Sequence, residues 1–302
     1  MPAISVLMGF YNEAKYLPEA LDSILAQTFQ DFEIILVDDG STDASRSIAD
    51  AYALKDSRIR VFHNQNQGLT KSLNFGVEHC TGKYIARMDA DDISLPERFA
   101  RQVEFMEANP DVICSGTGVM LMDPYGVPVR PVTEVYESHQ EIVAGLYSGV
   151  GTSLVHPSII MRADILQSCG GYNSKYRTAQ DLDLYLRLAE KGRLANILDI
   201  LLYYRQHLAS TNSAKREMQM MNREAIVREA SERRGQQFDP VQLACWPPLN
   251  KFVCIQDWGW NALRNGKPRI ALRHSLHAFR YKPVSRGNLK LIAVSAIRSI
   301  VS

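Results

Sequence analysis

The 302-residue chain has five cysteines (Cys80, Cys114, Cys169, Cys245 and Cys254), an odd number spread singly with no Cys-x-x-Cys pair. That spacing argues against a disulfide framework and a cysteine-built zinc site, and fits a reducing cytoplasm. No basic region precedes the first apolar run, and Glu13 and Lys15 follow it closely, so a secretory leader is not expected. Residues 142–161 lack Lys, Arg, Asp and Glu, a run as long as a membrane span. Three glycines, His156 and Pro157 interrupt it, so it reads as core and loop rather than a transmembrane helix. A glycine-rich basic loop after the first apolar run is also missing. Gly9-Phe10-Tyr11-Asn12-Glu13 stands there instead, which disfavours a nucleotidyltransferase that grips a triphosphate.

The tail lacks acid. From residue 251 onward there are ten Lys and Arg against Asp257 alone, a net +9. The whole chain has 34 bases and 33 acids, so residues 1–250 hold 24 bases and 32 acids, a net −8. An acidic body with a basic tail bears on partners rather than on fold.

What is present is a strand–helix alternation. Strands are expected at 4–9, 32–37, 59–63 and 83–88, with helices at 17–27, 43–54, 70–79 and 96–108 between and after them. This rhythm predicts a mostly parallel sheet with helices on both faces. Ligands bind such sheets outside the carboxyl ends of the strands. Residues 111–212 are less regular: strands near 112–120, 158–161 and 194–204, a turn at 123–126, helices near 140–147 and 180–191, and a glycine turn at Gly170-Gly171. The remainder reads as helical, beginning with a charged helix near 214–234. Three segments are therefore expected: a donor-binding half (1–110), an acceptor-binding half of the same domain (111–212), and a helical basic extension (213–302).

Two acidic loops fall at strand ends. Asp89, Asp91 and Asp92 crowd three carboxylates together, an arrangement whose repulsion a divalent cation relieves. Oxygen ligands suit Mg²⁺ or Mn²⁺. The plainer alternative is a solvated loop in which Asp92 or Ser94 caps the next helix. Asp38, Asp39 and Asp43 form the other loop. Gly40 permits a tight turn, and Ser41 to Asp43 can cap a helix, while a strand-end carboxylate can also accept a hydrogen bond from a nucleobase ring N–H.

Taken in order, these pieces resemble glycosyltransferase family 2, whose fold is called GT-A. The resemblance runs through Ile4-Ser5-Val6-Leu7-Met8-Gly9-Phe10-Tyr11-Asn12-Glu13, then Ser23-Ile24-Leu25-Ala26-Gln27-Thr28 and Glu33-Ile34-Ile35-Leu36-Val37-Asp38-Asp39-Gly40-Ser41-Thr42-Asp43. It continues through Asn66-Gln67-Gly68 and Asn74-Phe75-Gly76 to Asp89-Ala90-Asp91-Asp92. His156-Pro157-Ser158, Gly170-Gly171-Tyr172, Gln180-Asp181-Leu182-Asp183-Leu184 and Tyr204-Arg205-Gln206-His207 complete it.

The resemblance implies an inverting, metal-dependent transfer of one sugar from a nucleotide diphosphate donor, UDP by expectation, to an acceptor hydroxyl. It implies Asp181 as the catalytic base, with Gln180 where the family usually shows Glu. Asp39 would meet the base, beside the loop of Phe10, Tyr11, Asn12 and Glu13. Asn66, Gly68, Lys71, Asp89 and Ala90 join the donor site. Asp91 and His207 would hold Mg²⁺ or Mn²⁺, and His156, Gly171, Tyr172 and Gln180 would face the acceptor, a structural role at a strand entrance being the equal alternative for His156. The acceptor class implied is a cell-surface saccharide or its lipid-linked precursor. Processive synthases carry membrane spans and a Gln-x-x-Arg-Trp motif, both absent here. A silent nucleotide-sugar-binding protein is the alternative on the same fold. Asp39, Asp91 and Asp181 together speak against it.

Other residues have plainer expectations. Asp183 is solvated or pairs with Arg187 at i+4. Arg98 and Arg101 pair on the surface, Met218, Met220 and Met221 pack, and Trp246, Trp258 and Trp260 anchor the helical region. Residues 264–302 hold nine Lys and Arg and no acid, with Leu272, Leu276, Phe279, Leu289, Ile292 and Ile297 among them at near-helical spacing. That pattern suggests a protein that is cytoplasmic and peripheral on an anionic membrane surface, with no nucleic acid partner.

Overall fold

The structure, a computed structural model, describes residues 1–132, 136–149, 153–208, 216–240, 243 and 250–301. Its first part is the expected alternation. Strands β1 (Ile4–Phe10), β2 (Phe32–Asp38), β3 (Ile59–His63) and β4 (Tyr84–Arg87) lie side by side in the order β3-β2-β1-β4, all parallel. Helices α1 (Leu17–Leu25), α2 (Ser45–Ala53) and α3 (Leu69–His79) connect them, and α4 (Arg98–Ala108) follows β4.

Every residue of β1 is buried, because both sheet faces are covered. Its side chains still alternate. Ile4, Val6, Met8 and Phe10 pack with Leu17, Leu21 and Ile24 of α1. Leu7, with Ile35 and Val37 of β2, packs with Leu73 and Val77 of α3. The two faces thus become two separate cores.

The pairing beyond β4 is antiparallel. Strand β8 (Ile160–Arg162) runs against both β4 and β6 (Val112–Met122), setting Ile160 beside Ala86 and Ser115. The short β5 (Ile93–Ser94) pairs with the end of β9 (Arg193–Arg205). Helices α5 (His139–Tyr147), α6 (Ala163–Ser168), α7 (Gln180–Leu188) and α8 (Arg216–Arg233) complete this region. Ser138 and Glu141 cap α5 reciprocally. The expected strand at 158–161 starts later, since His156–Ser158 with Pro157 form a tight 3-10 turn. Among the described residues no helix is long and apolar enough to cross a membrane.

The described chain divides into two compact units. The first comprises residues 1–119, 132–204 and 215–244, so α8 belongs to it. The second joins residues 120–131 and 205–214 to 245–302. There β7 (Pro128–Pro131) pairs with the end of β6. Helices α9 (Lys251–Arg264), α10 (Pro268–Phe279) and α11 (Arg286–Val301) enclose a small core. Asn250 caps α9 through the Val253 N–H at 3.2 Å, and Pro268 opens α10. The turn after β6 is tied in by Asp123. Its Oδ1 accepts the Tyr125 and Val127 N–H groups at 2.8 and 2.9 Å. Its Oδ2 lies 2.7 Å from His274 Nε2, and both side chains are buried.

Some surface expectations fail. Met218, Met220 and Met221 are exposed rather than packed, because they lie in the first turn and a half of α8, ahead of the buried Ile226 and Val227 that seat the helix. Trp258 is buried and Trp260 half-buried, while Trp246, Cys245 and the boundary near residue 212 lie outside the described residues.

Candidate active site

The loop after β1 and the loop after β2 are knitted together. Asn12 Oδ1 accepts the Thr42 N–H at 2.8 Å and the Asp43 N–H at 3.3 Å. In return the Asn12 N–H donates to Ser41 Oγ at 3.0 Å, and the Glu13 N–H to Ser45 Oγ at 2.7 Å. Asn12 holds a left-handed φ of 57°, a conformation Asn tolerates better than most residues. Asp43 accepts from Ala14 and from Ser45. Burial raises its carboxyl, but the Ser45 and Ala14 hydrogen bonds outweigh that and hold it below the usual range.

Asp39 has a different task from Asp43. Its Oδ1 accepts the Gln67 N–H at 3.0 Å and the Ser72 hydroxyl at 2.8 Å, and its Oδ2 accepts the Gly68 N–H at 2.9 Å. Gly68 is the N-cap of α3, so the carboxylate supplies the cap that the helix's own sequence lacks. Gly40 makes this approach possible. A Cβ there would sit 2.7 Å from the Asn66 nitrogen, and its φ is 77°. Asp38 also turns inward, accepting from Ser41 and meeting His63 Nδ1 at 3.1 Å.

The loop after β4 is built otherwise. Asp89, Asp91 and Asp92 bring one carboxylate oxygen each to within 4.8 Å of one another. Neither Asp92 nor Ser94 caps α4, whose N-cap is Glu97 with no side-chain capping bond. Asp92 is instead buried. Behind the cluster stands a residue that sequence reasoning missed. Arg87, the last residue of β4, is fully buried and ion-paired to Asp89. Burial works against its charge, but Asp89, Tyr172 and Asp92 outweigh that, so it remains a guanidinium. Burial raises the Asp89 carboxyl, Arg87 opposes the rise, and Asp91 and Asp181 add to it.

Arg98 corrects another expectation. It is buried rather than paired on the surface, because its guanidinium satisfies backbone carbonyls where β4 ends and β8 begins. Nη2 donates to Arg87 O at 2.8 Å and Ile159 O at 3.3 Å, and Nε donates to Gln102 at 3.0 Å. Burial pushes its pKa down to about 9, Asp92 opposing and Arg87 adding to the fall. Arg101 does pair on the surface, with Asp199 at 2.7 Å. Tyr204, near the end of β9, stands in a stretch that carries the resemblance but has no role assigned from sequence. Burial and the three carboxylates of the cluster hold its phenol well above the usual value, keeping it an O–H.

The third element is the turn between α6 and α7. Asn74 of α3 grips Tyr172 twice, donating to its carbonyl at 2.7 Å and accepting its N–H at 2.8 Å. Gly171, at φ 67°, lies so close that a Cβ would stand 2.6 Å from Asn74 Oδ1. Arg187 pairs with Asp183, as expected, and also donates to the carbonyls of Cys169 and Gly171. Ala179, at φ 58°, is the only non-glycine besides Asn12 with a left-handed backbone among the described residues. It caps α7 under strain. Thr178 beside it is held through its carbonyl and hydroxyl by Asn222 of α8, at 3.1 and 3.0 Å.

This turn presents Asp181 in the first turn of α7, half-buried, its Oδ1 accepting the Leu182 N–H at 3.0 Å. Burial raises its carboxyl above the usual range, against the opposing Leu182 bond and Arg87 charge. His156 Nε2 lies 2.9 Å from the Tyr172 hydroxyl, and both rings are buried. Burial, then the Arg87 charge, push the His156 imidazole well below its usual value, so the ring is neutral. Arg87 thus acts electrostatically on Asp89, His156, Tyr172 and Asp181 alike.

Of the residues singled out from sequence, Asn12, Asp39, Asn66 and Gly68 come together around the starts of α2 and α3, with Phe10 buried beneath them. Tyr11, Asn66 and Lys71 are exposed, and Glu13 is half-buried. Asp89, Ala90 and Asp91 form the second loop. His156, Gly171, Tyr172, Gln180 and Asp181 lie on the α6–α7 side. His207 follows β9 in the second unit.

Comparison with known proteins agrees with this architecture. The profile of glycosyl transferase family 2 matches residues 5–164, just over half of the chain. EpsE of Bacillus subtilis is 41% identical over 196 residues, 63% of this chain and 68% of that protein. The amylovoran biosynthesis glycosyltransferase AmsE of Erwinia amylovora is 35% identical over 205 residues, covering 67% and 75%. Among solved structures, S. aureus TarS in complex with UDP-GlcNAc superposes with a TM-score of 0.58 at 18% identity, covering 97% of this chain and 79% of TarS. The mannosyltransferase PcManGT of Pyrobaculum calidifontis, in complex with GDP-Man and Mn²⁺, gives 0.57 at 18%, covering 99% and 81%. With the α/β GT-A architecture in place and the profile spanning both acidic loops, this chain belongs to glycosyl transferase family 2 and is a glycosyltransferase.

Proposed function

We propose that the protein is an inverting, metal-dependent enzyme that moves a single sugar from a UDP-sugar to a hydroxyl of a cell-surface saccharide or its lipid-linked precursor. One observation carries this reading: a raised, half-buried Asp181 shares the buried Arg87 with the Asp89–Asp91–Asp92 cluster. The base and the cation-binding carboxylates thus occupy one electrostatic neighbourhood.

The three converging carboxylates suit a hard divalent cation. Asp91 and Asp89 would hold Mg²⁺ or Mn²⁺. When bound, that ion neutralises charge on the departing diphosphate. The chain's own groups do the rest. A carboxylate offers about four acceptor sites; Asp39 already uses three, which leaves one for a uracil ring N–H. Phe10 to Glu13, Asn66, Gly68, Lys71 and Ala90 line the donor's path. Asp181 takes the proton of the acceptor hydroxyl as that oxygen attacks the anomeric carbon from the face opposite the leaving group. Single displacement inverts the configuration. His156, neutral and turned to Tyr172, orients the acceptor alongside Gly171 and Gln180. The polysaccharide names of AmsE and of the O-antigen glycosyltransferase WbnJ support the acceptor class. The basic residues 264–302 bring the protein to an anionic membrane surface, where lipid-linked acceptors lie.

The test is a panel of UDP-sugars and GDP-mannose, with saccharide acceptors, Mn²⁺, Mg²⁺ or EDTA, reading nucleotide release and product anomer by NMR. Release from a UDP-sugar, lost in EDTA and giving inverted product, is expected. Calorimetric donor binding with no turnover would make the chain a nucleotide-sugar-binding protein, and a retained anomer would exclude single displacement.

A further inference from the structure

We infer that helix α11 carries a lipid-facing surface, with the side chains of Leu289, Ala293, Ile297 and Ile300 entering an anionic bilayer interface and Arg286 and Lys290 meeting its headgroups. The inference rests on the proposed membrane contact of residues 264–302 and narrows it to one helix face.

The helix has two unlike sides. Asn288, Leu291 and Ser295 are fully buried, and Leu291 joins the small core with Ala262, Leu263 and Ala271. Residues 286, 289, 290, 293, 297 and 300 fall on the opposite side, within an arc of roughly 100° at 3.6 residues per turn. All six are exposed. Ile300 is 86% exposed and Ile297 64%, values at which a branched apolar side chain is almost wholly in water. The structure therefore sorts the apolar residues of the tail. Leu289 and Ile297 face out, as do Leu276 and Phe279 of α10, whereas Leu272 and Ile292 are half-buried.

The occupant follows from charge. The outward face holds two bases and no acid, and residues 264–302 contain no Asp or Glu at all. A second copy seated on the same face brings the same two bases and no acid, so it offers Arg286 and Lys290 no opposite charge. Nucleic acid would use the bases but leave the four apolar side chains in water. An anionic bilayer satisfies both sets: headgroup phosphates meet the bases, and the acyl boundary takes the apolar side chains.

The experiment is flotation of the full chain with vesicles of phosphatidylglycerol and phosphatidylcholine, or phosphatidylcholine alone, at low and high salt. The variants are Leu289→Ser/Ile297→Ser/Ile300→Ser and Arg286→Gln/Lys290→Gln, with Lys55→Gln/Lys191→Gln, two exposed bases outside residues 264–302, as a control. The wild type should float with anionic vesicles at low salt and lose this at high salt. Each face variant should partition at least roughly tenfold more weakly, while the control floats as the wild type does. Thermal melting and donor hydrolysis should be unchanged in all three. Should the apolar variant melt early, the Arg286→Gln/Lys290→Gln pair, exposed on both residues, decides alone. Face variants that float like the wild type overturn the assignment of this face and leave the broader membrane contact standing. A wild type that never floats overturns both. A dimer seen by light scattering and abolished by the face variants, without vesicle binding, assigns the face to a second copy instead.

Discussion

The loops that end β2 and β4 have similar composition and opposite construction. After β2, the carboxylates of Asp38, Asp39 and Asp43 accept hydrogen bonds from Ser41, Gln67, Gly68, Ser72 and Ser45. They hold the starts of α2 and α3 in place. After β4, three carboxylates converge to within 4.8 Å with a buried guanidinium behind them. The first loop is scaffold with acceptor capacity to spare; the second concentrates negative charge beside a buried guanidinium. An aspartate at a strand end therefore says little until its donors are known.

Mutations can break this contrast. The largest effect expected is on the second loop: Asp91→Asn should remove metal-dependent transfer below detection while leaving thermal stability unchanged or slightly higher, since it relieves repulsion. Retained turnover in Mn²⁺ or Mg²⁺ would show that the cation is held elsewhere. Asp181→Asn should lower turnover by roughly 10² to 10⁴ with donor affinity nearly intact. Because burial raises the Asp181 carboxyl, the base is protonated at a higher pH than usual. Turnover should thus fall on the acid side with a midpoint above the ordinary aspartate value of about 3.9. A midpoint at or below that value in the pH–rate profile would contradict the raised carboxyl.

The first loop should respond in stability. Asp39→Ala strands two part-buried backbone N–H groups and the buried Ser72 hydroxyl, and about 2–3 kcal/mol should be lost in urea unfolding, along with donor binding. An equal loss for Asp91→Asn would erase the distinction between the loops. The smallest effect belongs to Asn222→Ala. Releasing Thr178 should cost about 1 kcal/mol and let the strained Ala179 relax. Turnover should then drop by up to roughly tenfold with nucleotide affinity unchanged. Loss of nucleotide affinity would instead place Asn222 on the donor side.

Much of this was legible in the sequence. Burial on both faces and short connections reveal β1 to β4 and α1 to α4 to within a few residues, and the order of motifs points to Asp91 and Asp181. Other parts were hidden for a physical reason. Periodicity shows which side chains share a face, not which distant backbone donors converge on one of them. Asp39 is tied to donors 28, 29 and 33 residues away. Arg87 and Arg98 look like strand-end and helix-surface charges, and only the arrival of β8 beside β4 buries them. Antiparallel insertion of β8 between β4 and β6 leaves no local signature at all.

The buried bond between His274 and Asp123 spans 151 residues of chain, and Val127 beside it packs with Ala262, Leu263, Ala271 and Leu291, all beyond residue 250. On a ribosome elongating at about 5–20 residues per second, Asp123 emerges roughly 8–30 s before its partner exists. During that interval Val127 and Val129 have no core to enter and the aspartate is hydrated. The second unit is therefore a late-folding module that closes backwards onto a segment made long before. A nonsense mutation just ahead of His274 would leave that early hairpin permanently without its counterpart, a target for the proteases that survey unfinished chains.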